Sequence, residues 1–144
     1  MWEQEDENDY DPEKERNRVK NLPVYKKAES LMELTRRICD VVEDEKDELH
    51  ICQQILGNAM IIPAKIAGAE GGDLYSIRFD NATLIKLAAR ELLAETNMLY
   101  DLVEEKYVLT LRKEIEEFRV VFHDWVRSFD KTNDIPDEWD IKNL

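Results

Sequence analysis

Glycine and proline are scarce, with four of each in 144 residues. A sandwich or barrel of short strands needs a turn every ~8–12 residues, so that class is excluded. Two cysteines, Cys39 and Cys52, are too few for a disulfide framework. No apolar run approaches the ~18 residues that cross a bilayer. The basic start and apolar stretch of a secretory signal are also missing, because Met1-Trp2-Glu3-Gln4-Glu5-Asp6-Glu7 is acidic. A reducing, cytoplasmic setting is the expectation. Positive charge is in deficit as well. The formal net charge of −13 repels phosphate, which disfavours nucleic acid and anionic membranes and makes a basic protein the expected charged partner.

What remains is 43% hydrophobic and 37% charged, the balance of a solvated helical domain. Residues 1–16 hold eight acids against Lys14 and Arg16. Residues 1–20 are therefore expected to be an acidic, disordered tail, in which Trp2 and Tyr10 are the only aromatics. Residues 21–129 are expected to form one all-α domain, and 130–144 an irregular tail docked through Ile135, Trp139 and Ile141.

Four apolar patterns recur at helical spacing. Pro23 opens the first, which carries Val24, Ala28, Leu31, Thr35, Ile38 and Val42 to about residue 43. The second carries Leu49, Cys52, Ile55, Leu56, Ala59, Met60, Ile62 and Ile66, is bent by Pro63, and ends at Gly68 and Gly71-Gly72. Asp73 is placed to cap the third, whose face is Ile77, Leu84, Ile85, Ala88, Leu92, Thr96, Leu99 and Val103. After a break near 104–106 comes Leu111, Ile115, Phe118, Phe122, Trp125, Val126 and Phe129. Short joints between four long amphipathic helices predict an antiparallel, up-down-up-down four-helix bundle.

Chemistry is sparse. Di-iron bundles need Glu-x-x-His pairs on facing helices; here Asp47 precedes His50, but Val120 stands three before His123. Cys39 and Cys52 flank one turn at matching heights, yet His50 and Cys52, two apart, diverge on a helix, so two core thiols are the simpler reading than zinc. Arg119 and His123 are reminiscent in type of the Arg–His pair of helical HEPN-class RNases, where it polarises a phosphodiester and shuttles a proton. Their spacing of four also suits a plain surface pair. Glu91 and Glu95 lack the interleaved second set with which Glu114, Glu116 and Glu117 would hold magnesium; Arg112–Glu116 and Lys113–Glu117 are instead expected as i,i+4 pairs. Gly71-Gly72 lacks the Lys and Ser/Thr of a phosphate loop. No catalytic, metal or cofactor residue is assigned.

Several segments carry a family likeness: Leu22-Pro23-Val24-Tyr25-Lys26-Lys27-Ala28, Ile62-Pro63-Ala64-Lys65-Ile66-Ala67, Ala89-Arg90-Glu91-Leu92 through Glu95-Thr96, and Leu111 to Trp125. Together, over about residues 22–129, they resemble the four-helix-bundle proteins encoded in intervening sequences of large-subunit ribosomal RNA genes. The resemblance implies a homopentameric ring without catalytic residues. A related branch, the accessory proteins of diversity-generating retroelements, is basic where this chain is acidic.

The expected function is thus a non-enzymatic, homo-oligomeric scaffold or adaptor. Tyr25, Tyr75, Phe79, Tyr100 and Tyr107, off or at the edge of the core stripes, are its candidate interface. The alternative is a nucleic-acid accessory protein working through Arg36, Arg37, Arg90 and Arg112, with a helical RNase behind it.

Overall fold

The computed structural model describes residues 10–142 and 144, and among these it is all helical. Residues 1–9, with Trp2 and most of the acidic run, lie outside the described residues. Five α-helices are present: α1 (Pro12–Lys20), α2 (Pro23–Asp40), α3 (Ile51–Glu70), α4 (Tyr75–Glu95) and α5 (Glu105–Arg127), with 3-10 turns at Asp44–Lys46 and Thr96–Asp101.

Helix α1 corrects the expectation of a disordered tail over residues 12–20. Its composition is poor in apolar groups, but its ends are strongly specified. Asp11 accepts from the amides of Glu13 (3.0 Å) and Lys14 (3.4 Å), and Pro12 occupies the first turn. Glu13 and Glu15 then stand at the positive end of the dipole, Arg18 and Lys20 at the negative end. Only Val19 is buried, so one apolar contact and the ion pair of Arg18 described below fix it to the body.

Helices α2 and α5 follow their stripes closely. Val24, Ala28, Leu31, Thr35 and Ile38 are buried on α2, and Val108, Leu111, Ile115, Phe118, Phe122 and Trp125 on α5. Fully burying each large side chain contributes ~1.5–3 kcal/mol. Thr35 donates to Leu31 O at 2.8 Å, which satisfies its buried hydroxyl. Lys27 bridges the two helices, 3.2 Å from Glu114 and 2.6 Å from Glu117.

The start of α3 is organised by Asp47. Its carboxylate accepts from the amides of Ile51 (2.7 Å) and Cys52 (3.0 Å), satisfying two of the helix's free donors. The chain reaches this geometry by placing His50 at φ 54°, in the left-handed region. Helix α3 continues through buried Pro63 to Glu70.

Asp73 does not cap α4, contrary to expectation. The cap comes from the C-terminal segment instead: Tyr75 N donates to Asn133 O (2.8 Å), and the Ser76 amide and hydroxyl donate to Asp134 (3.0 and 2.7 Å). Asn133 also donates to Asp73 O at 3.1 Å, so the carbonyl of Asp73 is the group that is used. The segment docks through these polar groups and not through its apolar ones. Ile135, Trp139 and Ile141 all stand exposed.

Helix α4 is also shorter than its pattern. It gives way at Thr96 to a 3-10 turn, where the Thr96 hydroxyl donates to Leu93 O at 2.6 Å and Arg112 donates to Thr96 Oγ1 at 2.9 Å. Ile85, Ala88 and Leu92 are buried as expected, but Ile77 and Leu84 face solvent. In packing, α3 lies against α4 and α2, α2 against α5, and α5 against α4 and the 96–101 turn.

Candidate functional site

Glu70, at the end of α3, is a buried carboxylate with three side-chain partners among the described residues. Arg78 of α4 approaches its Oε1 at 2.6 Å, Trp125 of α5 donates to the same oxygen at 2.8 Å, and Arg18 of α1 meets Oε2 at 3.0 Å. The Arg78 guanidinium also lies 4.8 Å from the centre of the Phe129 ring. Two cations and an indole N–H engage both oxygens, so the carboxylate at the end of α3 ties together four helices. Likewise every buried side-chain polar atom among the described residues has a hydrogen-bond partner.

The thiols are equally closed. Cys39 donates to Cys52 O at 3.8 Å, and neither cysteine is in a disulfide. Burial pushes both thiols above their ordinary pKa, which keeps them protonated and poor as nucleophiles or ligands. Asp47, half of the Asp–His pair considered for metal, is spent as the α3 cap. No group of three or more His, Cys, Asp or Glu among the described residues is arranged around a metal position.

Two surfaces remain. The first is the outward side of α3 and α4. Ile77, Leu84 and Leu87 recur at seven and three residues along α4 and are 51%, 44% and 51% exposed; Met60 and Ile61 of α3 are exposed as well. The two helices are in register here. Asn58 donates to Glu95 at 2.6 Å, and a methyl group at Gly68 would meet Asn81 Oδ1 at 3.2 Å. On that register Ala64 lies level with Leu87, and Ile61 about a turn further along, level with Glu91. Exposed apolar side chains thus occur on both helices over this stretch.

The second surface is a groove between α4 and α5. It consists of two adjoining hollows of about 390 and 340 Å³ that share Lys86, Phe122 and His123. Phe79, Ala82, Leu93 and Phe118 add apolar floor; Arg90, Arg119 and Arg127 add cationic rim. Arg119 is held by Glu116 through its Nε at 2.8 Å, and Arg127 by Asp124 at 2.8 Å. Lys86 and Arg90 make no ion pair among the described residues.

The five aromatic interface candidates fall at two ends of the molecule. Tyr75 and Phe79 touch, with ring centres 5.7 Å apart, and Lys142 covers both rings. Tyr25 is near them, in a cleft with α1 and Gly71. Tyr100 and Tyr107 are exposed around the 96–101 turn, a helix length (~30 Å) away. The arginines are dispersed too. Arg36 and Arg37 both pair with Glu33, Arg112 donates to Thr96 and Asn97, and Arg90 alone lines the groove. The expected pairs Arg112–Glu116 and Lys113–Glu117 give way to Arg119–Glu116 and Lys27–Glu117.

No protein-family model, curated protein or solved structure matches the chain. Sequence reasoning missed Glu70, Lys86 and Arg127, and named Arg90 and the Arg119–His123 pair without joining them in one groove. The signal for the latter was present: Lys86 and Arg90 are four apart, as are Arg119, His123 and Arg127, which aligns each set along one helix face. Glu70 had only a weaker one, a lone acid closing a helix otherwise charged only at Lys65.

Proposed function

We propose that this protein is a non-enzymatic helical scaffold that associates with copies of itself through the outward face of α3 and α4. The observation that carries the reading is the exposure of five large apolar side chains on these two packed helices: Met60 and Ile61 of α3, and Ile77, Leu84 and Leu87 of α4. Soluble monomers rarely leave large apolar patches bare. The closed Glu70 cluster and the raised cysteine pKa values support a role without catalysis.

The finer architecture belongs to the same proposal. An antiparallel, up-down-up-down arrangement of α2–α5 is supported by Ala69 meeting Arg78 and Asn58 meeting Glu95 across α3 and α4. The likeness to proteins of ribosomal RNA intervening sequences supports a pentameric ring in a bacterial cytoplasm, and the net charge of −13 supports a basic protein as any charged partner. No helix among the described residues is long and apolar enough to cross a membrane.

Light-scattering mass after size exclusion tests the reading. The expected value is near five times 17.0 kDa, falling when Leu84→Glu and Leu87→Glu charge the face. A concentration-independent single-chain mass for the wild type would refute it. The nucleic-acid alternative draws support from the Lys86–Arg90 rim and predicts RNA binding that weakens steeply with salt.

A further inference from the structure

The C-terminal segment presents an unresolved contrast. It is anchored firmly by Asn133 and Asp134 on the first turn of α4, and by Lys142, whose Nζ lies 2.9 Å from Ser76 Oγ. Yet between and beyond these anchors Ile135, Trp139, Ile141 and Leu144 are 74%, 88%, 74% and 101% exposed. Four large apolar side chains in ten residues are held out in water by a loop whose own bonds are polar. Interleaved with them are Asp137, Glu138 and Asp140. The segment is thus an acidic, apolar ligand in chemical type.

The groove between α4 and α5 has the opposite character. Its floor is apolar, through Phe118 and Phe122 with Phe79 at one end under Lys142. On its rim Glu116 pairs with Arg119 and Asp124 with Arg127, which leaves Lys86 and Arg90 as the cations without an ion pair among the described residues. In a chain with 33 acids and 20 bases, such a rim is a local inversion of sign. Its hollows fall within the ~300–1,000 Å³ range of pockets that enclose small ligands or anchoring side chains. We propose that the C-terminal segment of one copy docks in the α4/α5 groove of a second copy. Trp139 and Ile141 enter the apolar floor, and Asp137 and Glu138 meet Lys86 and Arg90. The inference rests on the self-association reading above but uses a different surface.

The geometry favours a second copy over the chain's own groove. Within one chain the anchors on Ser76 and the lysine over Tyr75 and Phe79 hold the loop in place with the indole facing solvent. Insertion in trans retains those bonds. Complementary charge favours this occupant over others, because the acids of the segment have their counterparts on the rim. An interface joining two different patches is heterologous, so repetition builds a ring or a filament and not an isolated twofold dimer.

A charge swap tests this. Lys86→Glu with Arg90→Glu should weaken association on the order of ten-fold by light scattering or sedimentation, and so should Asp137→Lys with Glu138→Lys. Mixing the groove variant with the segment variant should restore assembly, which a folding defect in either would not allow. Absence of rescue, or wild-type mass in both variants, would overturn the proposal. If Leu84→Glu dissociates the protein while both swaps leave it intact, the self-association reading stands and this inference falls; a wild type monomeric at every concentration ends both. Protection of Trp139 from acrylamide quenching at single-chain concentrations would assign the segment to its own groove and refute docking in trans. RNA binding lost on Lys86→Glu/Arg90→Glu, with mass unchanged, would give the groove to nucleic acid and likewise refute it.

Discussion

The α2/α5 half of the molecule and the α3/α4 half spend their apolar residues differently. Helix α5 carries ten charged residues, and every solvent-facing turn of α2 or α5 has at least one. Their stripes are used up in the core, and the outer sides are closed by water and by pairs such as Lys27–Glu117. Helix α3 has only Lys65 and Glu70 as charges in 20 residues. It buries one side against α2 and α4 and still exposes Met60 and Ile61 on another. The first half exposes Leu109 and Val120 on α5 and lends Phe118 and Phe122 to the groove. The second exposes Met60, Ile61, Ile77, Leu84 and Leu87, which is the physical basis for assigning the larger share of association to it.

The sharpest way to break that comparison is at Glu70, where both halves are tied together. Replacing it with Leu leaves Arg78 buried without its carboxylate and removes the acceptor of the Trp125 N–H. Stripping one side of a buried charge cluster costs about 3–5 kcal/mol, read as a lower urea midpoint. A loss below about 1 kcal/mol would mean that water or a neighbouring carboxylate takes over the role.

Next come two substitutions with opposite expected signatures. Leu111→Ala, in the core of α5 and away from the groove, should cost about 2–5 kcal/mol of stability and leave the mass of the folded protein unchanged. Leu84→Glu, on the exposed face of α4, should change monomer stability by no more than about 0.5 kcal/mol while lowering the mass. If Leu84→Glu is as damaging to folding as Leu111→Ala, the outer face is core and the contrast between halves is wrong.

The docked C-terminal segment gives a smaller effect that depends on pH. Hydrogen bonds from the Ser76 hydroxyl and amide hold the Asp134 carboxyl below the ordinary aspartate range. Because the folded value is depressed, the stabilisation is present above the unfolded pKa of ~3.9 and is lost as pH falls through the folded value. The segment should therefore detach in acid below about pH 4, seen as faster amide exchange of Tyr75 and Ser76. At neutral pH, Asp134→Ala should speed the same exchange, because the first-turn amide of Ser76 loses its cap. Exchange that does not change with pH would show that Asn133 O alone secures the turn.

The legibility of the fold in the sequence divides along the same line. The stripes of α2 and α5 could be read residue by residue, because a charged outer face leaves only one apolar side to bury. In α3 apolar residues lie all round, and in α4 exposed apolar residues adjoin the buried stripe, so periodicity could not separate the core positions Ile85 and Leu92 from the surface positions Ile77 and Leu84. Long-range polar contacts were not legible at all. Asp134 caps a helix 58 residues away, and Glu70 reaches Trp125 across 55; neither leaves a local signature. Helix α1 was legible only in its ends, Asp11-Pro12 and the charge order after it, and composition argued against it.

The smallest expected effect concerns His50, the only non-glycine residue at positive φ among those described, at 54°. An L-residue in the left-handed region bears roughly 1–2 kcal/mol of strain. Here the strain has a purpose, since the reversal sets the Asp47 carboxylate over the amides of Ile51 and Cys52. His50→Gly relieves the clash but widens the freedom of the unfolded chain, and the two terms nearly offset. The expected net is a gain of up to about 0.5 kcal/mol, measured by thermal unfolding in parallel with Asp47→Ala, which should lose about 1 kcal/mol. A marked loss on His50→Gly would show that the imidazole itself contributes to the turn, and would reopen the question of a partner for it near Cys39 and Cys52.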